Sequence, residues 1–366
     1  MNILIVGEFS SFAKHLASGF RQLGHYVVIV HTGDVWKKIP GTRDDINYRN
    51  SNIRIAGKEI KGSWILKSRL VRRRLHKELE SRFSNKDVDL VFVVNFAFLS
   101  KSLFQTGVSI SYLKKLVAGG SKMVMSICGF DPACYYFFPN IYKWKVSLTE
   151  PRYTFLIKNS DTIIPTALSY REAIEAYCEN FGYDKTIISP TIPLPITVEE
   201  NYKIDSCVGR KIVIFHGIIR PEMKGSSFIK EAMDRLQLDF PDKVTCVCKG
   251  GMPYDEYLKL FEKVDILIDQ ASEGGRGWGM NAAIGAMKGK CVLTCSGDDV
   301  AQDMGFESIP FVDIKRDSNQ IYETLKELIL SPEKIDEKKK ESRKFIEENC
   351  DSKIVAQRYL EMVGLA

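Results

Sequence analysis

Short apolar runs without polar alternation recur along this chain, each followed by a stretch of helical periodicity. Residues 2–7 (NILIVG), 26–31 (YVVIVH), 90–94 (LVFVV), 122–127 (KMVMSI) and 162–165 (TIIP) all read this way. A strand buried on both faces has this pattern, and such strands belong to parallel sheets covered by helices. Between the first two runs, residues 11–23 put Phe12, Leu16, Phe20 and Leu23 on one helical face and stop at Gly24, a residue suited to ending a helix. Strand, helix and strand in that order predict a βαβ unit that opens a parallel α/β sheet.

Residues 190–196 (PTIPLPI) carry three prolines in seven positions. Proline in a helix interior removes a hydrogen bond and clashes with the preceding turn, so this stretch reads as a stiff linker. A second series follows it. Residues 211–216, 244–249, 265–269 and 291–294 read as strands, and 226–236, 254–262 and 281–288 as helices. Two α/β series in 366 residues predict two doubly wound domains. The expected divisions are 1–193, 194–345 and a closing segment 346–366.

Composition narrows the function classes. Lys and Arg number 52 against 46 Asp and Glu, a net charge of +6. The surplus permits an anionic partner such as a phosphate, an acidic glycan or a membrane surface; no nucleic-acid partner is expected. The nine cysteines are odd in number and lack C-x-x-C spacing. That supports neither a disulfide framework nor a zinc site, and fits free thiols in a reducing cytosol. The opening MNILIVGEFSSF reads as a strand rather than a secretory signal. No apolar stretch reaches the ~18 residues of a membrane span. A cytoplasmic location is expected.

In open α/β sheets ligands sit beyond the carboxyl ends of the strands, so the residues just after each strand are the candidates. After the first strand come Gly7 and Glu8. The G-x-G-x-x-G fingerprint is absent, which argues against a dinucleotide cofactor; the helix start there offers N–H groups to a ligand. Asp131, after residues 122–127, is either a helix N-cap or a carboxylate facing the cleft. In the second series, Gly217, Arg220 and Lys224 precede a helix. Two cations beside a helix N-terminus suit a diphosphate. The Gly-rich stretch that follows contributes Glu273, Gly277, Trp278, Gly279, Met280 and Asn281; glycines let a backbone approach a ligand closely. Gly251 and Met252 would flank a nucleobase. His216 ends a strand and reads as structural or functional with equal right. The D-x-D at Asp87 and Asp89 enters a strand, the wrong end for a metal at the cleft. No metal and no cofactor is expected.

At these residues the sequence resembles the retaining glycosyltransferases of family 4, which have the GT-B fold. Arg220, Lys224 and Gly225 match the R-x-x-x-K-G diphosphate motif; Ala286, Met287, Gly289 and Val292 match the helix and strand after the Gly-rich turn; Gly129 and Asp131 match a first-domain G-x-D. The resemblance implies an α/β GT-B architecture, two Rossmann-like doubly wound domains facing across a cleft. It implies a first domain for the acceptor, a second for the nucleotide-sugar donor, and a last helix that crosses back to the first. It implies sugar transfer with retention, Arg220 and Lys224 stabilising the leaving diphosphate, Asp131 holding the sugar, and cell-surface polysaccharide synthesis as the setting. Two family glutamates align with Gly277 and Gly285, which supports the alternative of a non-catalytic GT-B partner subunit; a sugar-nucleotide epimerase of the same architecture is the other alternative.

The segment from Lys58 to Lys77 (KEIKGSWILKSRLVRRRLHK) is basic, with Val71, Leu75 and Leu79 on one helical stripe. It reads either as a helix lying on an anionic membrane surface, where a lipid-linked acceptor would sit, or as a surface helix packed by its stripe.

Overall fold

The computed structural model describes residues 1–32, 45–48, 53–55, 58–61, 64–83, 87–100, 106–141, 147–200, 202–252, 254–272 and 276–366. The first half runs β1 (Asn2–Val6), α1 (Phe12–Gln22), β2 (Tyr26–His31), β3 (Ile46–Asn47), a small antiparallel pair β4 (Ile53–Ile55) and β5 (Lys58–Ile60), and α2 (Trp64–Arg82). Then come β6 (Leu90–Val93), the short parallel pair β7 (Leu99–Ser100) and β8 (Val108–Ser109), α3 (Ile110–Ala118), β9 (Lys122–Ile127), α4 (Pro132–Phe137), α5 (Pro151–Asn159), β10 (Thr162–Pro165) and α6 (Leu168–Phe181). The strands form one six-stranded sheet in the order β10-β9-β6-β1-β2-β3. Every pairing in it is parallel, with Ile3 beside Val27 on one side and Leu90 on the other. Counted in chain order this is the Rossmann arrangement, and the order reverses between β1 and β6.

The second half runs β11 (Ile212–Ile218), α7 (Pro221–Lys224), α8 (Ser226–Asp239), β12 (Val244–Gly250), α9 (Tyr254–Lys263), β13 (Ile266–Ile268), α10 (Met280–Met287), β14 (Cys291–Thr294), α11 (Asp298–Asp303), β15 (Val312–Asp313), α12 (Ser318–Leu330), α13 (Pro332–Asn349) and α14 (Ser352–Met362). Its five strands lie parallel in the order β12-β11-β13-β14-β15, which reverses between β11 and β13. The non-alternating strands are buried on both sides: Ile3, Leu4, Ile5 and Val6 are all 0% exposed. Burial at about 25 cal/mol per Å² of apolar surface is what drives these layers together.

The Pro-rich linker is packed. Ile192, Leu194 and Ile196 join a core that also holds α1 side chains and Trp278 and Phe345 of the second half. Helix α13 runs through residue 345, with Ser342, Phe345 and Ile346 buried, and the chain crosses back at Cys350 and Asp351. There Ile196 N–H donates to the Cys350 carbonyl at 2.8 Å and Ser352 N–H donates to the Ile196 carbonyl at 2.8 Å. Helix α14 then lies on α1 and reaches the first sheet, where Tyr359 stands edge-on to Phe92, 5.3 Å between centroids. The contact with α1 is close enough that a Cβ on Gly19 would fall 1.8 Å from the Ser352 carbonyl oxygen.

Candidate active site

The two sheets turn carboxyl strand ends, β9 and β10 of the first and β11 of the second, toward a common crevice. A reversal point leaves a gap beyond the strand ends because the neighbouring connections depart to opposite faces of the sheet. The two halves meet there: the Arg220 guanidinium, beyond β11, lies 5.0 Å from the centre of the Phe130 ring, beyond β9. Arg276 is ion-paired with Glu172 of α6, and Arg171 of α6 with Asp303 of α11. A Cβ on Gly277 would sit 3.2 Å from Ala167 Cβ.

Backbone strain is concentrated at this crevice. Among the described residues, the non-glycine positions with left-handed backbone are Ser10, Ser11, Phe130 and Arg220, with φ of 52°, 71°, 65° and 56°. These fall just after β1, β9 and β11. An L residue pays for such a conformation, and it persists where the surroundings impose it, as at binding sites.

The second half supplies the charged part of the site. Strand β11 continues through Gly217 and Ile218, which pair with Lys249 and Gly250. The chain turns at Arg220 into the single turn α7, then enters α8 at Gly225. Gly225 is required there: its φ is +63° and a Cβ would meet the Ala271 carbonyl oxygen at 2.0 Å. The Lys224 ammonium is bonded to the Asp269 carboxylate and donates to the Asp269 carbonyl at 3.1 Å. The other Asp269 oxygen accepts the Gly279 N–H at 2.8 Å, which fixes the start of α10. Burial alone would raise the Asp269 pKa, but Lys224 and the Gly279 N–H outweigh it and hold the carboxyl below its usual range. The sequence offers Lys224 as one of two cations for a diphosphate; in the fold its charge is already matched by Asp269, a partner 45 residues away.

Around this pair stand the other donor-side candidates. Asn281 lies in the first turn of α10, 8% exposed, and accepts the Tyr257 hydroxyl at 3.3 Å. Its amide nitrogen is 3.8 Å from where a Gly217 Cβ would stand. Gly251, with φ +66°, is exposed and Met252 half-buried beyond β12. Gly277 has φ +120°; its N–H donates to the Cys295 carbonyl at 2.7 Å, and its carbonyl accepts from Thr294 Oγ1 at 3.2 Å. Glu273 lies outside the described residues.

Three of the candidates, Trp278, Met280 and Asp131, are buried in the fold. Trp278 belongs to the core: it is 3% exposed, with Phe311 and Phe345 at 5.4 and 5.9 Å between centroids. Its neighbour Met280 is likewise buried in that core. Asp131 is an N-cap. Its carboxylate is 2% exposed and accepts the N–H groups of Ala133 and Cys134, both at 3.1 Å, and the Tyr153 hydroxyl at 3.0 Å. Burial raises its pKa, and those donors only partly offset the effect. Gly285 faces the sheet, where a Cβ would meet Leu267 Cδ2 at 2.4 Å. A larger side chain there has no room against the sheet; Asn281 stands one turn earlier.

Other candidates turn out to support the frame. Glu8 is 6% exposed and accepts the Lys14 N–H at 3.0 Å, so it caps α1 in place of Ser11. Gly7 has φ +107°, and a Cβ there would enter the Phe98 ring at 2.2 Å. His216 is fully buried between β13 and α8, with Nδ1 2.9 Å from the Ile268 carbonyl and Nε2 2.8 Å from Ser226 Oγ. Burial lowers its pKa to about 4, so it stays neutral at pH 7. Helix α2 packs with Leu75 and Leu79 buried, as a stripe-packed surface helix does, while Arg69, Leu70, Arg73, Arg74 and Lys77 are exposed. Among the described residues no helix is long and apolar enough to cross a membrane.

No protein-family model and no curated protein matches the chain. Solved structures do. A glycosyltransferase from Rickettsia africae ESF-5 has a TM-score of 0.56 at 15% identity, over 99% of this chain and 97% of that one. The sucrose-phosphate synthase of Thermosynechococcus elongatus gives 0.57 at 13% identity, over 100% and 99%. Anabaena HepE in complex with UDP-glucose gives 0.61 at 11% identity, over the whole of both chains. With the two parallel sheets and the crevice between them, these likenesses establish the GT-B fold for this chain: two Rossmann-like α/β halves facing each other.

Proposed function

We propose that the chain is a glycosyltransferase that moves a sugar from a nucleotide-diphosphate donor to a glycan or lipid-linked acceptor. The observation that carries this reading is Arg220, held in a left-handed backbone beyond β11 with its guanidinium over Phe130 of the opposite half. Positive charge fixed between two halves is what a leaving diphosphate needs. Arg220 and the N-terminus of α8 take the charge that develops on the leaving oxygen, and Lys224, bonded to Asp269, keeps one further N–H for it. Preorganised donors stabilise that charge without reorganising during the reaction. Asn281 faces the ribose, and Gly251 and Met252 flank the base. Asp131 acts by positioning: it fixes α4 and the strained Gly129–Phe130 turn, and leaves sugar contact to others.

HepE carries UDP-glucose in its crystal structure, so a uridine sugar is the first donor to try. The reading extends to transfer with retention and without a metal, on the cytoplasmic side, in polysaccharide synthesis. It gives residues 1–193 to the acceptor, 194–345 to the donor and 346–366 to the crossing back. The acceptor enters past Gly7 and Glu8, and the exposed arginines of α2 turn that side toward an anionic membrane surface.

Release of nucleoside diphosphate from UDP-, GDP- and ADP-sugars by the full chain is the test. One donor is expected to turn over, and Arg220→Ala to lower kcat by about 10²–10³ with little change in Tm. A folded protein that neither binds nor consumes any nucleotide sugar ends the reading.

A further inference from the structure

A cavity of about 680 Å³ opens at the other end of the second sheet, beside the starts of β11, β13 and β14. It lies a full strand length from the crevice. Arg210, Lys263, Lys288, Lys290 and Lys339 line it, with Asp205, Glu262 and Asp265. Several of these charges are matched inside the fold. Asp265 takes Arg210 at 2.6 Å and Lys339 at 2.7 Å. Lys288 pairs with Glu199 at 3.1 Å.

Lys290 is different. It is 5% exposed, and its Nζ donates to the Glu262 carbonyl at 3.0 Å. Among the described residues no carboxylate lies within ion-pair distance of it. Asp265 and Asp205 act on it only from beyond contact, and a buried ammonium with no carboxylate against it is costly and favours an anion brought from outside. Burial, then the neighbouring Lys339, lowers its pKa to about 8, as expected of an ammonium in that position. Asp205 and Glu262 are exposed beside it, and among the described residues neither carboxylate has a cation within ion-pair distance. An ionised carboxylate only accepts hydrogen bonds, which suits a hydroxylated ligand. The volume also exceeds what a bare ion needs and falls within the ~300–1,000 Å³ of small-molecule sites.

We propose that this cavity is a second binding site, for a sugar phosphate, with the phosphate on Lys290 and hydroxyls on Asp205 and Glu262. The phosphate brings the negative charge that Lys290 lacks, and charge-assisted hydrogen bonds to it are the strong kind. The ring hydroxyls donate to the two carboxylates. The site stands apart from the crevice and does not depend on the donor reading.

Thermal shift and calorimetric titration of the full chain test it, with glucose 6-phosphate, fructose 6-phosphate, inorganic phosphate and glucose as probes. A sugar phosphate is expected to raise Tm saturably, inorganic phosphate less, and glucose not at all. Lys290→Gln is expected to abolish the shift, and Arg220→Gln to keep it, which separates this cavity from the crevice. Acetic anhydride labelling of the wild-type protein gives a readout that needs no variant: the sugar phosphate should protect Lys290 several-fold. Absence of any saturable shift at millimolar sugar phosphate overturns the proposal. So does a shift that Arg220→Gln removes and Lys290→Gln keeps, or labelling of Lys290 that the probes leave unchanged.

Discussion

Asp269 sits at 2% exposure at the end of an apolar strand and stays charged because Lys224 and the Gly279 N–H meet both of its oxygens. Removing one partner of such a pair strands the other's charge in a poor solvent. Lys224→Met is therefore expected to cost about 3–5 kcal/mol in urea unfolding, and Lys224→Met with Asp269→Asn far less. The sign of the pH effect follows from the depressed carboxyl pKa. In the wild-type protein the pair stabilises above the unfolded carboxyl pKa, and that stability is lost as pH falls through the lower folded one. Without Lys224 the folded pKa rises, so the variant's deficit relative to the wild-type protein should be full near neutral pH and shrink as pH falls and Asp269 protonates; a deficit independent of pH would contradict the pairing. Asp131 gives a different contrast. Asparagine caps a helix as well as aspartate does and still accepts from Tyr153. Asp131→Asn should keep donor turnover within about threefold, whereas Asp131→Ala should lose about 1 kcal/mol for the cap and more for the stranded Tyr153 hydroxyl. Loss of turnover in a stable Asp131→Asn protein would instead make the carboxylate a direct contact to the sugar.

At the scale of elements, the close approach of α1 and α14 rests on Gly19. The atom that a Cβ would strike, at 1.8 Å, is a backbone carbonyl oxygen, which no rotamer change can move. Gly19→Ala should force the two helices apart at a cost of about 1–3 kcal/mol, read as a lower Tm with faster hydrogen exchange in α14 than in α8. Exchange that rises evenly across both helices would argue against a local separation. This packing was only partly legible in the sequence. Strands β9 and β10 fall where the non-alternating apolar runs put them, because burial on both faces leaves a composition that periodicity reads directly. Strand β11 runs two residues beyond its expected end at 216, since pairing with Lys249 and Gly250 carries Gly217 and Ile218 along against glycine's poor strand propensity. The two-residue β15 has too little sequence to show a pattern. At the site, Arg220 was legible because its neighbours in sequence, a strand before and a helix after, are what give it its place. The Lys224–Asp269 and Tyr257–Asn281 contacts join positions 45 and 24 apart, and no local pattern encodes them. Trp278 misled for the same reason: flanked by glycines it reads as ligand-facing, yet Phe311 and Phe345, 33 and 67 positions further on, claim it for the core.

For the whole molecule, the question is what holds the two halves closed over the crevice. One apolar core joins the halves through α1, the linker and Trp278, and the crevice itself adds the Gly277–Ala167 approach, Met223 half-buried against the core of the first half, and Arg220 over Phe130. The rest is charge. Arg276 bridges Glu172 and Asp299, and Arg171 bridges Glu175 and Asp303, so each arginine joins carboxylates from both halves. The arginine side chains are 36% and 31% exposed. Pairs this open to water contribute only about 0–1 kcal/mol each and weaken once salt brings the screening length to a few ångströms. An opening at the crevice that leaves the shared core intact breaks only a few such contacts, and about 1.4 kcal/mol changes a population ratio tenfold. Raising the salt concentration should open the crevice and increase the radius of gyration measured by X-ray scattering. Arg171→Ala with Arg276→Ala should be open already at low salt and lose most of the salt response. A donor that binds both halves should close the wild-type protein again at high salt, because its binding energy replaces the screened pairs. If the radius of gyration is the same at low and high salt and in the double variant, the ion pairs are bystanders and the apolar contacts alone set the closure.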